Sequence, residues 1–318
     1  MGLHGRRALG AVAMTSQLRI SRRAFLATAA ALALGRTRLA QAAAPDVTFL
    51  VVGDWGTGSH QQQKVADQMA KSAAAIGARF VISTGDNFYP DGVMTVEDAH
   101  WRTTFEGIYA APSLMIPWYV ALGNHDHRGN VNAQVEYTKR SSRWRMPATY
   151  YKHTETLADS SPADFFFIDS HVIREGYRRS WGRSARDGQM IWLERELAAS
   201  TAPWKIAVGH HPVFSGGRHG NTEALVVLLK PLLEQYGVQV YLNGHDHDLQ
   251  HLAVGKVHYL TSGAGATPRP SKAVAGTRFV IGDRLGFMTA RLAPRAMDIE
   301  FIDGDGASLY RASIPVGS

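Results

Sequence analysis

The chain has 318 residues, of which 45% are hydrophobic, 9% are aromatic and none is cysteine. This composition excludes a disordered or disulfide-stapled chain and leaves a globular body able to bury a large core. The formal charge of +7 is no nucleic-acid signature. Seven arginines (Arg6, Arg7, Arg19, Arg22, Arg23, Arg36, Arg38) and no acid lie in residues 1–42. Removing them from the 34 basic residues leaves 27, equal to the 27 acidic residues. No nucleic-acid partner is therefore expected.

The leader comes first. Ser21-Arg22-Arg23-Ala24-Phe25-Leu26 places paired arginines before an apolar stretch that runs through Gly35, and Ala40-Gln41-Ala42 fits the small-x-small cleavage rule. The expectation is a twin-arginine signal peptide over 1–42, cut after Ala42 and read by the twin-arginine export machinery. The mature protein would be periplasmic or secreted. The apolar stretch is too short for a stable membrane anchor. An ordinary secretory signal is the second reading, and Arg36 and Arg38 speak against it. Met14 is as good a start codon as Met1.

In the body, Val47–Val52 reads as a strand, 60–76 as a helix with Val65, Met69 and Ala73 on one face, and Phe80–Ser83 as a second strand. This is a βαβ unit, so the two strands are expected to be parallel, with Asp54 and Asp86 neighbours at their carboxyl ends. Residues 96–109 read as helix, 118–122 as strand, 132–141 as helix and 165–168 as strand. Residues 172–187 carry Arg174, Arg178, Arg179, Arg183 and Arg186 with two glycines; they read as a mobile basic surface loop that could attract anionic substrate. Residues 189–200 read as helix, 205–208 as strand, 223–236 as helix kinked at Pro231, and 238–243 as strand. Residues 257–261, 287–292, 297–302 and 309–314 read as closing strands, so a βαβ start gives way to an antiparallel meander. There is no repeat and no sign of a second domain.

Five strand ends carry ligand-type residues behind a glycine. They are Gly53-Asp54-Trp55-Gly56, Gly85-Asp86-Asn87-Phe88-Tyr89, Gly123-Asn124-His125-Asp126, Gly209-His210-His211 and Gly244-His245-Asp246-His247. Each glycine is expected to let the backbone turn sharply. Singly, such an Asp is most often a cap, such a His a surface residue and Tyr89 a half-buried aromatic. Together, five such ends point to one shared metal site. Asp54, Asp86 and Tyr89 offer hard oxygens, Asn124 a neutral oxygen, and His210, His245 and His247 borderline nitrogens. These groups are too many for one four-coordinate zinc and suit two octahedral metals that share a carboxylate. Tyr loses its proton near pH ~10 when free, so a phenolate ligand needs a strong Lewis acid, with Fe(III) the candidate. A site of Asn and His suits a divalent ion. Two metals about 3.5–4 Å apart form the clamp used in phosphoryl hydrolysis. The leaving alkoxide needs a proton, and His125 and His219, each in a loop beside a ligand, are the candidates.

The set GDWG, GDNFY, GNHD, GHHP and GHDH resembles the purple acid phosphatases of the small, tartrate-resistant type, within the metallophosphoesterase superfamily. Similarity extends through Gly129-Asn130-Val131-Asn132-Ala133-Gln134, Tyr137 with Lys139, Ser142-Arg143-Trp144 and Ser262-Gly263-Ala264-Gly265, and covers about 47–315. The resemblance implies an α/β fold with a four-layer αββα sandwich of two mixed sheets, forming a single metallophosphoesterase domain over 43–318. It implies Fe(III) on Asp54, Tyr89 and His247, a bridging Asp86, and Fe(II), Zn(II) or Mn(II) on Asn124, His210 and His245. It implies an acid phosphatase that hydrolyses small phosphate monoesters by attack of a metal-bound hydroxide, with His125 and His219 contacting phosphate and protonating the leaving group. A monomer is expected. Residues 172–187 would occupy the place of the family's exposed regulatory loop.

The chain departs from the family at Ala207-Val208-Gly209-His210, where VxxH is usual, at His211, where many small members have Tyr, and at Arg218, where animal-type members have a carboxylate. A cation at Arg218 is expected to favour bound phosphate. The competing functions are a phosphodiesterase or nucleotidase on the same centre, and a non-hydrolytic iron-binding redox protein. His125 and His219 together favour hydrolysis, since simple iron binding needs neither.

Overall fold

The computed structural model describes residues 46–317; the expected signal peptide lies outside the described residues. The first parallel pair forms as the pattern requires. Strands β1 (Val47–Val52) and β2 (Phe80–Ser83) pair in parallel across helix α1 (His60–Ile76). Ser59 starts α1 by accepting the N–H of Gln62, and Gly77 ends it in the left-handed conformation. Val65, Met69 and Ala73 form its buried face.

The first sheet continues in parallel through β3 (Trp118–Val120) and β4 (Trp144–Arg145). On the other side of β1 it turns antiparallel, through β12 (Gly286–Leu292), β13 (Ala296–Asp303) and β14 (Ser308–Pro315). The second sheet has the order β11-β9-β10-β8-β7-β6-β5. Its members are β5 (Tyr151–Thr156), β6 (Pro162–Phe167), β7 (Trp204–Val208), β8 (Val240–Asn243), β9 (Leu249–Val254), β10 (Val257–Ser262) and β11 (Thr277–Ile281).

Side-chain alternation explains the layers. On β6, Phe165 and Phe167 join the core between the sheets, and Phe166 joins a second core on the far side. Ile206 and Val208 on β7 and Val240 and Leu242 on β8 follow the inward set; Ala207 and Tyr241 follow the outward one. Phe49 and Phe80 of the first sheet meet Phe165 edge-on at 5.7 and 5.8 Å. Burying each such ring stabilises the fold by about 1.5–3 kcal/mol. The outward core of the second sheet is closed by Ile173, Leu193, Leu197, Leu225, Leu229 and Leu233. These belong to α3 (Ser170–Arg178), α4 (Arg183–Ala199) and α5 (Glu223–Gln235), which contains Pro231. With α1 against β1 and β12, the layers are helix, sheet, sheet, helix, as the family resemblance implies.

Several elements differ from the sequence reading. The basic segment 172–187 is not a loop but the end of α3, a 3₁₀ turn at Ser180–Gly182 and the start of α4. Asp169 caps α3 by accepting the N–H of Val172. A Cβ on Gly176 would lie 2.5 Å from the Gly182 carbonyl oxygen, so these glycines permit close helix contact where they read as chain breakers. Residues 96–109 shrink to a wide π-type turn over Trp101–Glu106, because the Asp98 carboxylate accepts the N–H groups of Met94 and His100 and holds the preceding chain in a turn. Residues 132–141 give α2 over Val131–Tyr137. Strand 257–262 leaves the meander and pairs in parallel with β8 in the other sheet. Strands β4, β5, β9 and β11 are additional. Among the described residues no helix is long and apolar enough to cross a membrane.

Candidate metal centre

The five glycine-led loops gather where β1, β2, β3, β7 and β8 end. The glycines work differently from expectation. Of the five leading glycines only Gly85 has positive φ, whereas Asp54, Asp86 and His245 themselves take the left-handed conformation, at φ 57°, 51° and 69°. Non-glycine residues held there store strain, which collects at functional sites. The glycines instead make room. A Cβ on Gly123 would lie 2.2 Å from Asp86 Oδ1, and one on Gly244 would lie 2.3 Å from Asp54 Oδ2. Behind the loops, Trp55 and Phe88 meet edge-on at 5.7 Å, and Trp55 Nε1 donates to Ser83 Oγ at 2.8 Å. The residues beside Asp54 and Tyr89 are thereby anchored in the core.

Each carboxylate has one oxygen held by backbone and one left facing inward. The His245 N–H holds Asp54 Oδ2 at 2.9 Å, and the His125 N–H holds Asp86 Oδ1 at 2.8 Å. Asp54 Oδ1 faces Tyr89 Oη at 3.3 Å and His247 Nε2 at 3.5 Å. Asp86 Oδ2 faces Tyr89 Oη at 3.0 Å on one side and His210 Nε2 at 3.5 Å on the other. His210 Nε2 in turn faces Asn124 Oδ1 and His245 Nδ1, each at 3.2 Å. All seven expected donors thus converge, in two groups that meet at one oxygen of Asp86.

The chemistry of this donor set fits cations. His210 Nδ1 donates to the Thr84 carbonyl at 2.9 Å and His247 Nδ1 to the Thr267 carbonyl at 2.6 Å. A carbonyl only accepts, so in each neutral ring Nε2 carries a lone pair. Those lone pairs point at carboxylate, amide and imidazole acceptors, while the single phenolic proton of Tyr89 faces three acceptors. Burial opposes charge on His210, but Asp86 and Asp54 outweigh it and push its pKa up to about 9. Burial raises Asp54, with His210 opposing and Asp86 adding. In Asp86 burial is outweighed by His210, and its pKa falls. Burial, Asp54 and Asp86 raise Tyr89 well above its ordinary value. Burial and Arg269 lower His247 to about 4, and burial with His210 and His219 lowers His245. His245 and His247 are neutral donors, His210 beside the two carboxylates holds its ring proton until a cation displaces it, and the phenol keeps its proton unless a strong Lewis acid displaces it.

The two candidate acids lie on the rim. His125 Nδ1 donates to the Pro90 carbonyl at 2.5 Å, leaving Nε2 4.0 Å from Asp86 Oδ2. His219 Nδ1 donates to Asp246 Oδ1 at 2.9 Å, and its ring stacks on His245 at 4.1 Å. Both line a cleft of about 290 Å³ with Asp86, Arg128, Arg218 and Arg269. Sequence reading missed the groups behind the donors. Asp246, inside the His245–His247 turn, orients His219. Asp126 accepts the N–H of Gly123 at 2.8 Å and of Asn87 at 3.1 Å, tying two donor loops together. Asp169 caps α3 and holds His127 Nε2 at 2.8 Å. For Asp246 and Asp126 the available signal was a carboxylate next to a candidate site histidine; Asp169 carried none.

Two mixed sheets with such a donor set across their strand ends define the metallophosphoesterase class, and the family profile described as calcineurin-like phosphoesterase matches residues 47–249. The chain is 36% identical to tartrate-resistant acid phosphatase type 5 of Homo sapiens, over 87% of this chain and 93% of that protein. It is 37% identical to purple acid phosphatase 4 of Arabidopsis thaliana, over 83% and 82%. The chain belongs to the purple acid phosphatases of the calcineurin-like phosphoesterase family, and so to the phosphoester-hydrolysing enzymes. A solved structure described as GAP50, the anchor in the inner membrane complex of Plasmodium, matches with a TM-score of 0.79 at 23% identity, over 86% of this chain and 90% of that one. That likeness shows the fold alone.

Proposed function

We propose that the protein is a binuclear-metal acid phosphatase acting on small phosphate monoesters. Asp54, Tyr89 and His247 hold Fe(III), and Asn124, His210 and His245 hold Fe(II), Zn(II) or Mn(II). Asp86 is shared. The observation that carries this reading is the position of Asp86 Oδ2, which faces both donor groups at 3.0 and 3.5 Å. When bound, the two ions supply Lewis acidity toward phosphate and lower the pKa of a water.

The chain's own groups do the rest. Arg128, Arg218 and Arg269 line the cleft and draw the phosphate dianion to it. His125, beside the shared carboxylate, orients the phosphate. His219, held by Asp246, gives its proton to the departing alkoxide. Metal analysis of the purified protein together with a panel of phosphate mono- and diesters tests the reading. Fewer than two metals per chain, or no turnover of any monoester, would overturn it.

Export is a separate part of the proposal. Arg22 and Arg23 direct the chain through the twin-arginine route to the periplasm or beyond, with the cut after Ala42. Substitution of both by Lys should leave precursor in the cytoplasm; undiminished export of that variant would sink this part.

A further inference from the structure

Beyond the cleft lie two more cavities, of about 340 and 390 Å³, and both share His219 and His245 with it as a common wall. Arg174 lines both. Arg178 and Tyr177 line the first, and Arg128 joins the second to the cleft. The three spaces make one groove that leads from the metal centre, past the proton donor, to helix α3.

The groove is cationic at its far end. Arg174 bonds the neighbouring Glu175 at 3.0 Å, and Glu175 also meets Arg179 at 3.2 Å. One acid therefore serves two arginines, and a guanidinium has five N–H groups, so Arg174 keeps donors to spare. Arg178 is exposed and makes no ion pair among the described residues. Among the described residues Glu223 is the one acid lining these two cavities, and Arg128 meets Asp91 only at 3.5 Å, at an exposed position.

The helix that carries the cations is held at both ends. Gln189 accepts the N–H of Asp169 at 2.7 Å and donates to its carbonyl at 3.0 Å, fixing the cap of α3. Arg186 donates to the Gly176 carbonyl at 2.9 Å and pins the other end to α4. A subsite on such a helix needs little ordering when a ligand binds.

We infer that α3 provides a second anion subsite, built on Arg174 and Arg178, for phosphate monoesters whose leaving alcohol carries a second phosphoryl group. This rests on the phosphatase reading for its direction. The cleft takes the ester phosphate and His219 protonates the leaving oxygen, so the space beyond His219 faces the leaving alcohol. Tyr177 lines that space for the carbon skeleton, and a guanidinium pair matches the geometry and charge of a phosphoryl group.

Calorimetry of the metal-loaded protein with butylphosphonate and butane-1,4-bisphosphonate tests this, since neither probe can be hydrolysed. The bisphosphonate should bind roughly tenfold tighter, a modest return for charged hydrogen bonds near solvent. That gap should close in the Arg174→Gln/Arg178→Gln double variant, with circular dichroism confirming its fold, and should narrow in Arg178→Gln, an exposed change that threatens no packing. Equal affinities in the wild type, or a gap that persists in the double variant, would overturn the subsite. Lack of turnover on every monoester would instead overturn the phosphatase reading, and the affinity gap would still be measurable.

Discussion

His219 is bonded twice to one oxygen of Asp246, by its backbone N–H at 2.8 Å and by Nδ1 at 2.9 Å, across 27 residues of chain. Asp246 lies between His245 and His247, so the turn that presents these two proposed metal donors also fixes the tautomer of the proposed acid. Nδ1 keeps its proton and Nε2 is the atom left for substrate. Burial disfavours the Asp246 carboxylate, but His219 and Ser215 outweigh burial and keep its pKa below the usual range. The orienting charge therefore persists in mild acid.

If His219 is the proton donor, His219→Ala should slow alkyl phosphates by roughly 10²–10⁴-fold, the range of general acid catalysis. Aryl phosphates have better leaving groups and should lose less. Asp246→Asn should follow the same pattern at about tenfold, because the ring keeps a hydrogen bond but loses its charged partner. Steady-state kinetics on the two substrate types decide the matter. Equal losses on both would mean that His219 binds phosphate without protonating the leaving group.

Tyr89 Oη lies within 3.3 Å of Asp54, Asp86 and His247 donor atoms. With Fe(III) among them, phenolate-to-iron charge transfer should colour the protein. Tyr89→Phe should remove the visible band and keep much of the iron, because the other donors remain. Asp86→Ala should reduce the content of both metals, since Asp86 Oδ2 is common to both groups. Metal analysis and absorption spectra on the same samples separate the cases. A colourless metal-loaded wild type, or a Tyr89→Phe variant that keeps its band, would contradict phenolate ligation.

Gly123 tests why the glycines are there. A Cβ would lie 2.2 Å from Asp86 Oδ1 and 2.3 Å from the Asp86 backbone nitrogen. The neighbour is pinned by the His125 N–H and cannot yield cheaply. Gly123→Ala should cost about 1–3 kcal/mol in stability, as overpacking does, and lower metal content in parallel. A variant with wild-type metal content would show that the loop shifts freely.

Much of the centre was legible because its donors follow strands whose hydrophobic runs are unmistakable, as Phe49-Leu50-Val51-Val52 before Asp54 shows. Edge strands were not. Tyr151–Thr156 alternates buried and exposed residues and is polar at five of its six positions, and Trp144–Arg145 is too short to carry a period. Helix α3 was hidden by its composition, since arginines and glycines read as loop when the contact between Gly176 and Gly182 is unseen. The left-handed turns at Asp54, Asp86 and His245 were unreadable for a related reason. At the two aspartates a backbone N–H from a distant loop holds the carboxylate, His245 itself supplying the one on Asp54, and such contacts lie far apart in the chain.

His127 and Asp169 supply a pH-dependent clasp between the turn after β3 and the cap of α3. Burial disfavours charge on His127, but Asp169 outweighs it and raises its pKa, with Asp126 adding and His210 opposing. His171, stacked on His127 at 4.3 Å, has its own pKa lowered to about 4 by burial and by His127, so it stays neutral beside the imidazolium. A group whose pKa is raised on folding contributes stability that is complete below its unfolded value, near ~6.5, and is lost as pH rises through the folded value. The clasp should therefore be at full strength in acid and weaken above neutrality. His127→Gln keeps a hydrogen-bonding group and removes the charge. Metal-loaded His127→Gln should be less stable than wild type by about 1–3 kcal/mol at pH 5, a shift of roughly 2–8 °C in Tm for a protein of this size. The difference should shrink as pH rises through the raised folded value, because wild-type His127 then loses its charge as well. Thermal melts at pH 5, 7 and 9 measure it. A difference that stays constant across that range would mean that His127 acts by packing alone and that Asp169 holds α3 without it.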